Sequence, residues 1–312
     1  YSSAASDVYK RQPLYVGSGS PLSNVGTLTN QGIELEVGYK LSVDKVNLSF
    51  LANASYVKNE IKNLGNQTGY IDKESLPTLG TVSRNQNGYP IGYFFGYKAI
   101  GVFQTQEEID NYISPATGKP IQPNAVPGDT KFEDLNGDGV ISDDNEDRTM
   151  IGKPNPDWIV GLTVAADWNG FDLSAFFQGS FGADVFDALR RYELAAVNYT
   201  SDALERWTGP GTSNSMPRIV LGDTPKNFRP STLLVHDASF LRLRNLQVGY
   251  TLPAQLTRKA YIQRLRFYAS FDNLLTITGY KGMDPEIGST MGIDKGVYPQ
   301  ARVYTFGLNL TF

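Results

Sequence analysis

The residues best spaced for chemistry lie between Asp134 and Asp147. The run Asp134-Leu-Asn-Gly-Asp-Gly-Val-Ile-Ser sets oxygen donors at alternate positions, with a glycine sixth for a sharp turn and a backbone carbonyl seventh. A hard cation of calcium size needs that pattern. The candidate metal ligands are Asp134, Asn136, Asp138, the carbonyl of Val140 and, through water, Ser142. The twelfth position, where a bidentate glutamate would close the shell, is Asn145, so Glu146 or Asp147 can close it only if the loop bulges. A solvated, Asx-rich turn without metal is the competing reading. Nothing on either side pairs as the helices of a calcium sensor do, so the role is structural under both readings.

Other chemical groupings are sparse. His236, the single histidine, stands beside Asp237, and no GxSxG, GxGxxG or GxxxxGK pattern occurs. Ser-His-Asp hydrolysis and phosphate cradling therefore lack support. The 32 acidic residues guarantee chance carboxylate pairs, so a glycosidase pair is not legible either. No catalytic residue is assigned, and no enzymatic activity is expected. Arg190, Arg191, Arg242 and Arg244 could line a wet lumen, where simple solvation is the default for a charge. Tyr192, Tyr199, Trp207, Tyr280 and Tyr298 could stack on sugar rings, although most loop aromatics pack within their own loops. Substrate-contacting residues stay unassigned.

Composition narrows the class. A net charge of -4 and a pI near 5.2 offer no basic stripe to displace phosphate counterions, so nucleic acid is not an expected partner. The absence of cysteine excludes disulfides and thiolate chemistry. Aromatic residues make up 12%, led by 18 tyrosines, as expected where rings sit at a membrane boundary or line a binding surface. No apolar run is long enough for a membrane helix, which leaves a membrane barrel open.

The elements that would position these groups are strands. At the end of the chain Tyr304, Phe306, Leu308, Leu310 and Phe312 share one parity, while Thr305, Gly307, Asn309 and Thr311 share the other. Such a strand needs an apolar medium on one side and water on the other. Ile33, Leu35, Val37, Tyr39 and Leu41 repeat the pattern and turn through Ser42 to Lys45 into Val46, Leu48, Phe50, Ala52, Ala54 and Tyr56. A second hairpin runs from Trp158 to Trp168, turns at Asn169-Gly170 and returns through Phe171, Leu173, Ala175 and Phe177. The two tryptophans stand roughly 33 Å apart along a strand rising about 3.3 Å per residue, as two aromatic girdles would require.

A third hairpin pairs Leu246 to Leu252 with Leu265 to Phe271. Leu241 and Leu243 have the wrong parity for it, which predicts a bulge or a segment beyond the membrane. Gly92 to Phe103 reads as strand with mixed phase. Long polar stretches separate the hairpins, and short turns alternating with long loops are the habit of outer-membrane barrels. Thr105-Gln106-Glu107-Glu108 is a capping box for a brief helix through Tyr112, and Ser201 would cap another through Trp207.

Several ordered segments resemble the SusC/RagA family of TonB-linked outer-membrane transporters of Bacteroidota. They are Asn30-Gln-Gly-Ile-Glu-Leu-Glu; Gly88-Tyr-Pro-Ile-Gly-Tyr-Phe-Phe-Gly-Tyr; Gly101-Val-Phe-Gln-Thr-Gln-Glu-Glu-Ile; Asp134-Leu-Asn-Gly-Asp-Gly; Phe171-Asp-Leu-Ser-Ala-Phe-Phe-Gln-Gly; Ser239 through Pro253; Asp284-Pro-Glu; and the terminal strand. The resemblance implies an all-β fold, an antiparallel transmembrane β-barrel, with this chain as the C-terminal portion of a 22-stranded TonB-dependent receptor barrel with long extracellular loops. Residues 13–312 would form that part, with the plug domain absent, while residues 1–12 read as a non-native leader. It further implies a SusD-like lipoprotein partner, a TonB complex acting through the missing N-terminal part, outer-membrane lipid around the wall, and import of oligosaccharides or peptides. A structural calcium is the one cofactor suggested. Between Asp138-Gly139 and Asp147-Arg148 the loop is longer than the family's, which leaves the last metal ligand open. Two alternatives are a secreted, calcium-stabilised β-sandwich that binds glycans and a passive porin.

Overall fold

The computed structural model describes residues 2–9, 22–143, 145–287 and 291–312, with side chains from residue 26 onward. Eight strands form one sheet: β1 (Ser2–Tyr9), β2 (Leu22–Val43), β3 (Val46–Asn63), β4 (Trp158–Trp168), β5 (Phe171–Phe181), β6 (Phe240–Thr251), β7 (Arg264–Thr278) and β8 (Val303–Thr311). Each pairs antiparallel with its neighbour in sequence, an up-and-down meander. Within the stretch read as a non-native leader, Ser2–Tyr9 form β1, which runs beside Leu22 to Asn30; residues 1 and 10–12 lie outside the described residues. Among the described residues no helix is long and apolar enough to cross a membrane.

The expected parity holds through the sheet. On one face Ile33, Leu35, Val37 and Tyr39 adjoin Tyr56, Ala54, Ala52 and Phe50, and these adjoin Trp158, Val160, Leu162 and Val164. This apolar face has no second layer against it: Ile33 is 73% exposed and Phe306 76%. A sandwich would bury that face, so the sandwich alternative fails and lipid is the medium the face fits. The opposite face carries Glu34, Glu36, Asn53, Gln178, Asn245, Gln247 and Ser270, the lining of a wet lumen.

Aromatic rings gather at both ends of the apolar face. Tyr56 packs on Trp158 with ring centroids 5.0 Å apart, beside Phe181. Trp168 stacks on Phe171 at 6.2 Å, and Phe171 meets Tyr250 at 4.4 Å. These are the two girdles expected from the tryptophan spacing. Between β4 and β5 the turn residues Asn169 and Gly170 both take positive φ, 47° and 88°, which an Asn-Gly turn admits at little steric cost.

The parity conflict in β6 is resolved by a bulge at Arg244. Against β5, Asn245 pairs Phe176 and Leu243 pairs Phe177, leaving Arg244 as the extra residue; against β7 it stands opposite Asn273 and Leu274. Leu241 and Leu243 thereby face lipid with Leu246 and Val248, and Arg242 faces the lumen beside Gln178 and Thr276. Strand Phe240–Thr251 starts six residues earlier than the regular pattern alone suggests.

Three long connections leave one end of the sheet: 64–157, 182–239 and 279–302. They build a folded body with its own core. Leu76, Val82 and Phe94 come from the first, Phe186, Ala188 and Leu234 from the second, and Ile293 from the third. A parallel pairing of Phe186 with Ile293 joins the second to the third, and a bridge between Tyr97 and Ser231 joins the first to the second. Gly92 to Phe103 belongs to this body rather than to the barrel wall. Its strand Tyr93–Tyr97 is buried on both faces, between Arg148–Gly152 and Ser83–Gln86, which explains why no alternating phase was legible. The capping box forms α1 (Gln106–Asp110), with the Thr105 hydroxyl accepting from the Glu108 amide at 3.2 Å. The expected second helix is a 3-10 turn, Ser201–Glu205, entered at Thr200, whose hydroxyl bonds Tyr192 rather than capping the turn.

Candidate functional site

The lumen face and the loop body above it bring together the groups that could meet a solute. On β6 the bulge aims Arg242 and Arg244 to the same side. Arg242, 2% exposed, donates from Nε to Thr276 Oγ1 at 2.9 Å, from Nη1 to Glu286 Oε2 at 3.0 Å and from Nη2 to Asp284 Oδ1 at 2.6 Å. Arg244 donates from Nη2 to both Glu286 oxygens, at 2.6 and 2.7 Å, and from Nε to Gln178 Oε1 at 2.7 Å. Asp284 also accepts from the amides of Glu286 and Gln300, each at 2.9 Å. Burial alone would raise the Asp284 carboxyl, but those two amides and the Arg242 guanidinium outweigh it and hold it below the usual range. The expectation of solvated arginines is thus corrected. Low local dielectric and complementary carboxylates favour a paired state over solvation here.

Lower on the same face Arg266 makes a bidentate pair with Asp172 at 2.9 and 2.5 Å, reaching from β7 across β6 to β5. Gly249 lies under the pair, since a Cβ there would stand 2.5 Å from Arg266 Nη2 and 2.6 Å from the Asp172 oxygens. Asn245 donates to Asp272 at 2.7 Å and to Ser270 at 3.0 Å.

In the loop body, Asp187 is buried and hydrogen-bonded to Arg190, which also pairs with Asp202 at 2.7 Å. Burial raises the Asp187 carboxyl, while the nearby His236, the Arg190 guanidinium and the amides of Arg190 and Leu189 bring it below the ordinary value. His236 stands 3.7 Å from it, beside a cavity of about 420 Å³ floored by Tyr192, Met216 and Phe228. Arg190 and Arg191 are therefore loop residues in ion pairs and do not line the barrel wall. Of the loop aromatics, Tyr192 and Tyr280 are buried, and Trp207 is half-buried with its Nε1 donating to Gln104 at 3.1 Å; Tyr199 and Tyr298 remain exposed. Three arginines interleave with rings: Arg84 lies 3.6 Å from the Phe95 centroid, Arg148 4.3 Å from the same ring, and Arg229 4.8 Å from Tyr97.

The acidic loop is organised by its own backbone. Asp134 accepts from the amides of Gly137 at 2.8 Å and Gly139 at 2.9 Å, Asn136 from Asp138 at 3.0 Å, and Asp138 from Val140 at 2.9 Å. Asn136 Nδ2 donates to Glu146 at 2.9 Å. The centre is Asp147, fully buried, accepting from the amides of Leu135 at 3.0 Å and Ser142 at 3.1 Å. Val140 turns its side chain outward. The donors are all oxygen, suited to a hard cation, although among the described residues no three carboxylates stand together as a preformed cage. Sequence reasoning treated Asp147 only as a possible closing ligand. It also gave Asp172, Asp284 and Glu286 no role; the two adjacent arginines at the parity break were the one available signal.

A one-layer antiparallel sheet with a lipid face, a polar lining, aromatic girdles, turns at one end and folded loops at the other defines the wall of a transmembrane β-barrel. No protein-family model matches the chain. It is 33% identical over 316 positions to TonB-dependent receptor P3 of Formosa agariphila, covering 96% of this chain and 30% of that protein. It is 30% identical over 295 positions to TonB-dependent receptor SusC of Bacteroides thetaiotaomicron, covering 93% and 27%. Among solved structures, the RagAB peptide importer in its open-open state superposes with a TM-score of 0.74 at 26% identity, covering 99% of this chain and 31% of that one. The chain is a SusC/RagA-like TonB-dependent receptor sequence, and it spans under a third of the length of these relatives.

Proposed function

We propose that the chain forms part of the wall and the external loops of a TonB-energised outer-membrane importer. Its cargo would be an oligosaccharide or a peptide, handed over by a SusD-like surface lipoprotein, and the complete barrel would have 22 strands. The observation that carries the reading is the sheet itself. It has an unlayered apolar face with girdles, a polar lumen face, and a built loop body over one end, in a chain similar to SusC and to a peptide importer. A passive porin would have no need of so elaborate a loop body, and no residue grouping supports catalysis. The test is to read the coding sequence on both sides of this chain and then delete the gene. A plug-encoding frame upstream and a lipoprotein gene beside it, with loss of growth on one glycan or peptide source, supports import. A frame with a secretion signal directly before residue 13 and no plug sinks it.

The acidic loop fits a structural calcium in this reading, held by oxygens of Asp134, Asn136, Asp138, Val140 and Ser142. The expected result is calcium-dependent protection of the 134–147 segment from protease, lost in Asp134→Ala. Equal cleavage with calcium and with chelator would leave the segment as a self-capped turn.

A further inference from the structure

We propose that Arg242 and Arg244 are positioning residues which, with Asp284 and Glu286, latch the 279–302 connection inside the mouth of the lumen as a fixed constriction. The inference rests on the importer reading for its consequence and on geometry for its substance. Arg242 shares the lumen face with Gln178 and Thr276, so carboxylates that reach it must come in over that face. Pro285, Glu286 and Ile287 bound a cavity of about 240 Å³ together with Ile159, Gln178 and Ser180, which are lumen-facing residues of β4 and β5. The connection therefore folds inward across three strands rather than standing above the rim.

It is also tied down along its length. Asp284 accepts from the Gln300 amide at 2.9 Å, which ties the two ends of the connection together. Tyr280 donates to Asp294 at 2.6 Å, Asp294 accepts from the Gly296 amide at 2.9 Å, and Ile293 is buried in the loop core. Arg242 and Asp284 are both buried, so removing Arg242 would strand a buried carboxylate and removing Asp284 would leave a buried guanidinium short of its nearest partner; Glu286, shared by Arg242 and Arg244, adds a second tie, and the arrangement favours one position of the connection over a swinging one. Met283 and Tyr298, both exposed, flank the two residues that Asp284 joins.

The test places a nitroxide spin label at Ile287→Cys, half-buried beside Glu286, in the receptor reconstituted in lipid vesicles. The wild-type background should give an immobilised spectrum. Asp284→Asn with Glu286→Gln should raise the mobile fraction several-fold, and the charge-retaining Glu286→Asp should stay near wild type. Folding is checked by the heat-dependent gel shift of the barrel. Should the double variant fail to assemble, Arg244→Gln with Thr276→Val leaves the buried Arg242–Asp284 pair and should give an intermediate mobile fraction. An unchanged spectrum in whichever assembled variant is used overturns the latch. The spectra need no transport: an immobile connection in a protein that imports nothing would sink the importer reading alone, and a mobile one in an active importer would sink the latch alone.

Discussion

Single residues decide how the lumen face is wired. Arg266 reaches Asp172 only because Gly249, on the strand between them, has no side chain. Gly249→Ala should force the pair apart and cost about 1–3 kcal/mol, read as a lower urea midpoint with unchanged slope for the folded barrel. An unchanged midpoint would show that the pair can shift sideways. Asp223 gives a pH-dependent counterpart in the loop body. Burial pushes its carboxyl from the ordinary 3.8 up to about 6, against the amides of Phe228 and Asn227. The folded state then binds the proton more tightly than the unfolded chain, so this group's contribution falls as pH rises from about 4 to about 6. Relative to Asp223→Asn, wild-type loop protection from protease should decline over that window; parallel curves would contradict it. The alternation of charges with leucines around Arg242 was visible in the sequence, but their carboxylate partners lie some forty residues on, across a turn and a strand, where no local pattern reaches.

At the scale of the strand, the two faces predict opposite tolerances. Leu162 sits midway between the girdle residues Trp158 and Trp168 on the lipid face, and its neighbour Thr163 faces the lumen. Leu162→Lys should cost about 2–4 kcal/mol and reduce assembly, whereas Thr163→Lys should change stability little; the heat-dependent gel shift reads both. Equal loss in both would mean the faces are misassigned. The hairpins were legible because period-two alternation and Asn-Gly turns are local signals, and because a lipid face tolerates no exceptions. Where both faces are buried, as in Tyr93–Tyr97, alternation vanishes and the strand was recognisable only by composition. The bulge at Arg244 was legible as a conflict, since one extra residue flips every later side chain.

For the whole molecule, the loop body is the part whose strand at Gly92 to Phe103, short helices and acidic loop were legible singly in the sequence, as pieces of polar connections, but not as one packed unit. Its core draws apolar residues from three segments far apart in sequence, so no single window of the chain shows this cluster. Phe186, fully buried, packs on Phe94 at 5.8 Å between ring centroids. Phe186→Ala should cost about 3–5 kcal/mol, and limited proteolysis should then cut all three connections while the sheet stays intact. Cleavage confined to 182–239 would instead show that the connections fold independently. The same core constrains the order of events during biogenesis. Phe94 and Leu76 are translated well before their partner Ile293, which lies on the connection leading into β8, so the long-range contacts that complete the core wait on that connection. The early connections must therefore travel with their apolar residues unburied, as clients of whatever holds unfolded chains in transit. The loop body can become rigid only after Ile293 has docked, which makes protection of Phe94 from solvent a late clock for barrel assembly.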